Sequence, residues 1–318
     1  MSASSPSAPL RLAYNTNGWP QHELPEIARQ LAALGYDGIA ITPDTFHLNP
    51  LGAGAAGEAR ALRRLLDELH LAVAVETGSR FLLDPARKHQ PTLLSGPAGA
   101  RARLDLLRHC LDLAVALRAE TFSFWAGAWA PDPGTPRETQ GARGDSGARD
   151  ASAPAPVDAP AREALLDRLC AGTSALLDHA RGSGVLVCFE PEPGMAVASL
   201  TELQEFLGRL ARPELRVMLD VGHVPVTERD QPAPLASAAA VQALSRAGRL
   251  GGLQLDDCAG RVHEHLLPGD GELDWRQLLA AIAASGYRGL ASLELPRHGH
   301  DPVSAARRAL AFLRAASR

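Results

Sequence analysis

GVLVCFEPEP (184–193), LRVMLDVGH (215–223), LGGLQLDD (250–257) and LASLELP (290–296) are four successive apolar runs, each ending in a polar group. Those groups are Glu190, Asp220, Gln254 and Glu294. A short continuous apolar run bounded by turn residues reads as a strand buried on both faces. A helical pattern follows each run. If the strands are parallel neighbours in one barrel, the four side chains converge at a single rim. Two or three carboxylates and an amide oxygen meeting there make a site for a hard divalent cation.

The same rhythm extends upstream. Strand-like runs occur at RLAYN (11–15), GIAIT (38–42), LAVAVE (71–76) and ETFSFW (120–125), making eight with the later four. Between them, segments such as LPEIARQLAALG and GEARALRRLLDELH repeat apolar residues at three- and four-residue steps, the period of an amphipathic helix. Glycine-containing turns close several of these, as in LGYDG and SGYRG. Alternation of this kind predicts a parallel sheet with helical crossovers. Eight such units closing on themselves form the (β/α)8 TIM barrel, typically about 250 residues long. A doubly wound open sheet fits less well, because it gathers its ligand groups at one switch point rather than at several consecutive strand ends. A single α/β domain over 11–318 is therefore expected, behind a disordered tail over 1–10. One segment, 130–162, is rich in Pro, Gly, Ala and Asp. It buries too little apolar surface to order itself. Following the fourth strand, it reads as a disordered insertion or, alternatively, a lid over the rim.

The 318 residues are 46 % hydrophobic and 21 % charged, the balance of an ordinary globular protein. A formal charge of −4 gives no basic footprint, so nucleic acid is not an expected partner. No apolar run reaches the ~18–20 residues that span a bilayer, so no membrane is expected either. MSASSPSAPL lacks a basic region followed by an apolar core and does not read as a signal peptide. Four cysteines lie far apart without CxxC spacing. Core packing suits them better than redox or zinc chemistry, and a cytoplasmic location fits. The expected partner is a small-molecule substrate, with homo-oligomerisation left open.

A single carboxylate at a strand end is as readily a helix cap or a surface ion pair. Four such groups weaken that alternative, because a buried charge needs a partner and one cation serves all of them. His223 follows Asp220 by three residues, where the chain turns at Gly222. It reads as a contact to a substrate hydroxyl or carbonyl in preference to a further ligand or a structural histidine. Arg261 and His263 follow the seventh strand and are candidate substrate contacts, Arg261 for a carboxylate or phosphate. Solvated loop residues are the alternative for both. Trp19 and Trp125 stand at the ends of the first and fourth strands, as an aromatic wall for a sugar ring or as core. Arg80, Lys88 and His89 gather basic charge in the third loop, and Glu192 falls inside the mouth with no assigned role.

FEPEPG, MLDVGH and the block LQLDDCAGRVHEHLLPGDGELDWRQLL…GYRGLASLEL resemble the xylose-isomerase-like barrel superfamily, over about residues 10–316. The last block is most similar to the hydroxypyruvate isomerase branch. The resemblance implies one divalent ion held by Glu190, Asp220, Gln254 and Glu294, with His223 against the substrate. Gln254 where the family also places histidine favours Mg2+ or Mn2+ over Zn2+ or Co2+. The strand ends carrying Thr42, Glu76 and Trp125 lack the extra histidines of endonuclease IV, although His263-Glu264-His265 is similar to part of its cluster. The lysine motif of true xylose isomerases is absent beside Glu190.

The function these features imply is isomerisation or epimerisation of a small sugar, polyol or keto-acid through an enediolate. Glu190 and Glu294 are the expected catalytic acid–base pair. The alternative is a dehydratase or lyase acting on a cyclic polyol with the same site. An abasic-DNA endonuclease and a non-catalytic metabolite-binding barrel fit less well.

Overall fold

The computed structural model describes residues 9–128 and 159–317. Eight strands form a closed barrel in sequence order. They are β1 (Arg11–Asn15), β2 (Gly38–Ile41), β3 (Ala72–Glu76), β4 (Thr121–Trp125), β5 (Leu186–Glu190), β6 (Arg216–Asp220), β7 (Leu250–Leu255) and β8 (Leu290–Leu293). Every neighbouring pair is parallel, including β1 with β8. The TIM barrel read from the alternation is the architecture of the molecule.

The helices are α1 (Leu24–Leu34), α2 (Ala55–Glu68), α3 (Pro97–Ala116), α4 (Ala159–Ala180), α5 (Leu200–Leu210), α6 (His223–Thr227), α7 (Ala233–Arg246), α8 (Trp275–Ser285) and α9 (Pro302–Ala316). Their ends follow local chemistry. Ser199 and Glu202 form a reciprocal capping box at the start of α5, a device worth about 1 kcal/mol. Gly35 and Gly286 end α1 and α8 in the left-handed conformation, which glycine adopts without strain. Between strands and helices the core is continuous, and its aromatic spine runs Phe122, Phe124, Phe189, Phe206.

Two features depart from the sequence reading. The short helix α6 begins at His223, directly after the turn that closes β6, where no helix was expected. Helix α4 starts at Ala159, so the last residues of the 130–162 insertion belong to a helix. The rest of that insertion, its reading as a lid, and nearly all of the 1–10 tail lie outside the described residues. Among the described residues no helix is long and apolar enough to cross a membrane.

Register brings the rim together. Trp125 pairs with Glu190, Asp220 with Gln254, and Gln254 with Ser292. Side chains paired in register point to the same face of the sheet, so Trp125 and Glu190 stand side by side, as do Asp220, Gln254 and Ser292.

Candidate active site

Glu190 and Asp220 are the final residues of β5 and β6, Gln254 is the penultimate residue of β7, and Glu294 immediately follows β8. Glu190, Asp220 and Gln254 are at most 5 % exposed. Asp220 turns one oxygen back to the chain: Oδ1 accepts from the backbone N–H of Gly222 at 2.8 Å and of His223 at 3.3 Å. Gly222 is required here, because a Cβ at that position would meet Asp256 Oδ1 at 2.0 Å. The glycine in LDVGH thus admits a second buried carboxylate beside the first.

The four residues form two subgroups. Gln254 Nε2 donates to Glu294 Oε2 at 2.5 Å and to Glu76 Oε2 at 3.3 Å, and Asn17 Nδ2 donates to Glu294 Oε1 at 2.8 Å. Glu190 and Asp220 instead lie with His223, one ligand atom from each falling within 4.8 Å of the others. His223 Nδ1 is 3.9 Å from Glu190 Oε1 and 3.7 Å from Glu192 Oε2, and Nε2 is 3.4 Å from Asp220 Oδ2. That places His223 among the carboxylates, within reach of the same ion.

Sequence reading missed several neighbours. Asp256, two residues after Gln254, has Oδ2 2.5 Å from His265 Nδ1. His265 Nε2 faces His263 Nε2 at 2.9 Å, and His263 Nε2 is 3.8 Å from Glu192 Oε1. Two further groups able to hold an ion are His223–His263–His265 and Asp220–Asp256–His265. The second aspartate of LQLDD fixes this loop. Asp257 accepts from Gly269 N at 2.9 Å, Leu273 N at 3.1 Å and Trp275 Nε1 at 2.7 Å. That is the physical role of the GDGELDW block. Glu76, at the end of β3, accepts from Ser292 Oγ at 2.5 Å, from Gln254 and from Asn15 Nδ2. The signal for Asn15 and Glu76 was the strand-end position already used for β5 to β8.

The remaining expected contacts separate clearly. His263 and Trp125 line the cavity of about 600 Å³ above the rim, as do Arg80, Lys88, His89 and Glu192. His89 meets Trp125 edge-on at 5.1 Å, and the guanidinium of Arg103 lies 4.6 Å from the Trp125 ring centre. Trp19 is fully buried, edge-on to Tyr14 at 6.0 Å and to His22 at 5.2 Å, and does not line this cavity. Arg261 is committed elsewhere, donating to the carbonyls of Pro225 at 2.8 Å, Glu228 at 3.0 Å and Gln231 at 2.6 Å.

Burial dominates the electrostatics. It raises the Glu294 carboxyl to about 8, with His265 opposing and Glu76 and Asp220 adding to the rise. It raises Glu76 to about 7 against the hydrogen bonds from Ser292, Asn15 and Gln254. Glu190, Glu192, Asp220 and Asp256 are all pushed well above the carboxylate range, first by burial and, except for Asp256, next by a neighbouring carboxylate. Burial and the adjacent His265 lower His263 to about 3, and burial with His263 and His265 keeps His223 neutral. Carboxylates that resist ionising together and imidazoles that resist protonation are the donor set a cation would relieve. Asp220 Oδ2, both His223 ring nitrogens, Gln254 Oε1 and Asp256 Oδ1 find no hydrogen-bond partner. Each such buried orphan costs about 1–3 kcal/mol, and their gathering at one rim fits a divalent ion.

Residues 28–316 match the family model described as xylose isomerase-like TIM barrel. No curated protein matches the sequence. Among solved structures, D-psicose 3-epimerase from Clostridium cellulolyticum H10, determined with D-tagatose, superposes with a TM-score of 0.70 at 16 % identity, over 97 % of this chain and 100 % of that one. The 3-keto-D-glucoside 4-epimerase of E. coli gives 0.68 at 17 % identity, over 96 % and 100 %. The IolI protein with a bound zinc atom gives 0.66 at 14 % identity, over 97 % and 98 %. At these identities the likeness is one of fold. With the family match spanning nearly the whole barrel, this chain belongs to the xylose isomerase-like TIM barrel family.

Proposed function

We propose that the protein is a divalent-metal-dependent isomerase or epimerase of a small sugar, polyol or keto-acid. The observation that carries this reading is the grouping of ligand atoms from Glu190, Asp220 and His223 within 4.8 Å of one another, beside the Gln254–Glu294 pair, with unpartnered buried oxygens among them. The sugar epimerases that share the fold support it.

Glu190, Asp220, Gln254 and Glu294 would hold the ion, with His223 in reach. Mn2+ or Mg2+ suits the oxygens, while the nearby imidazoles also admit Zn2+ or Co2+. An ion held there would supply Lewis-acid stabilisation of charge on the substrate's carbonyl oxygen. Glu190 takes the proton α to the carbonyl. Glu294, held by Asn17 and Gln254, delivers a proton to the adjacent carbon or to the opposite face of the same one. Positioned acid–base groups of this kind contribute about 10²–10⁴ in rate. Trp125 and His263, which line the cavity, contact the substrate.

The test is incubation of the Mn2+-loaded protein with ketoses, keto-acids and cyclitols in D2O, followed by NMR. Deuterium entering carbon with retention of all oxygens supports the proposal. Loss of water would assign a dehydratase instead. Absence of exchange with every compound would refute catalysis of this kind.

A further inference from the structure

Glu76 stands outside the proposed ligand set, yet it accepts hydrogen bonds from residues on three other strands: Asn15 on β1, Gln254 on β7 and Ser292 on β8. One obligatory donor orients the Asn15 end of this network. The backbone N–H of Asn17 can only donate, and it points at Asn15 Oδ1 at 2.9 Å. Thr42 Oγ1 donates to the same oxygen at 2.7 Å. The carbonyl end of the Asn15 amide is thereby fixed, and its NH2 end must face Glu76. The Gln254 amide has carboxylate oxygens of Glu76 and Glu294 on one side. While ionised, both carboxylates only accept, and the NH2 group then turns toward both, as the contacts from Gln254 Nε2 have it. What remains is Gln254 Oε1, buried and without a partner.

We propose that Glu76 is a positioning residue that fixes the orientation of the Gln254 amide, so that its oxygen is presented to the cation and its NH2 group steadies Glu294. This deepens the proposed function and rests on it. A neutral glutamine at 76 could present either an oxygen or an NH2 group to Gln254. The carboxamide then gains a second orientation, in which nitrogen, a non-ligand, faces the ion. Residues that hydrogen-bond a metal ligand and hold its orientation typically change metal affinity by about 10–100-fold when removed.

The experiment compares wild type with Glu76→Gln in two readouts. The first is Mn2+ affinity by calorimetry, with the thermal midpoint of the metal-free protein as a control for folding. The second needs no metal: the side-chain NH2 resonances of Gln254 in glutamine-labelled protein, assigned by their loss in Gln254→Leu. The expected result is one slowly exchanging NH2 pair in wild type, a doubled or broadened pair in Glu76→Gln, and Mn2+ binding weakened 10- to 100-fold at an unchanged midpoint. A single unshifted NH2 pair in Glu76→Gln, or full Mn2+ affinity, overturns the assignment. Should wild type bind no Mn2+ while the NH2 pair still depends on Glu76, the positioning role stands and the metal-dependent function falls. If Glu76→Gln fails to fold, Glu76→Ala, which removes the acceptor altogether, is read in the same way.

Discussion

The two halves of the barrel rim are built from similar residue types and differ in how they are satisfied. At the ends of β1 to β3, Asn15, Thr42 and Glu76 are held in a closed set of hydrogen bonds. At the ends of β6 and β7, Asp220, His223, Gln254 and Asp256 are as deeply buried, and each leaves at least one atom without a partner. Native interiors rarely leave such groups unpaired. Asn15, Thr42 and Glu76 are therefore satisfied by protein atoms alone, while the second set leaves atoms free for the ion proposed above. The first half acts as a frame and the second as a receptor.

The most severe way to break the contrast is Asp220→Asn. It removes a buried charge from the receptor side while keeping the oxygen that accepts from Gly222. Loss of the ion's contribution of several kcal/mol should lower kcat/KM by about 10⁴-fold. The metal-free protein should unfold at the same or a higher temperature, because a carboxylate that burial opposes is gone. A destabilised, still active protein would reverse the assignment. Next is Glu294→Gln, expected to cost about 10³-fold in deuterium exchange while circular dichroism stays unchanged. Asn17→Ala removes one donor to Glu294 and should cost about tenfold in kcat, with little change in Mn2+ affinity.

The metal-free protein should also show the contrast in its pH dependence. Glu76 and Glu294 have folded values raised to about 7 and about 8, above the ordinary glutamate value of 4.5. A carboxyl with a raised folded value favours the folded state while protonated. That contribution is complete below about pH 4.5 and is lost as pH rises through about 7 and 8. Thermal midpoints of the metal-free protein should therefore fall between pH 5 and 8.5, and saturating Mn2+ should flatten the decline. The smallest effect is expected at Arg261→Gln. Its guanidinium is spent on three loop carbonyls away from the cavity, so kcat/KM should stay within about twofold for any substrate.

The barrel was legible because eight apolar runs alternate with helical periods, a pattern that sequence carries directly. The strand-end rule located Glu190, Asp220, Gln254 and Glu294, since a strand's last residue points where its neighbours' do. Asp256 and His265 were harder to see. Asp256 comes to the rim because Gly222 leaves room for it. His265 comes there because Asp257 folds the loop after β7 back on itself through the Gly269, Leu273 and Trp275 donors. Both depend on contacts distant in sequence. Trp19 read equally as a wall or as core and is core, because the 3-10 turn after β1 rotates it away from the mouth and against Tyr14. Glu76 was visible as a strand end, but its partners on β1, β7 and β8 are apparent only once the barrel closes.

The most direct measurement is the Mn2+ content of the purified protein by emission spectrometry, after stripping and reloading, beside the Glu190→Gln/Asp220→Asn double variant. One tightly held ion per wild-type chain and none in the variant is the expected result, with both remaining folded. A wild-type chain that retains no ion, or a variant that retains it undiminished, would contradict the claim that the β5–β8 rim is a cation receptor.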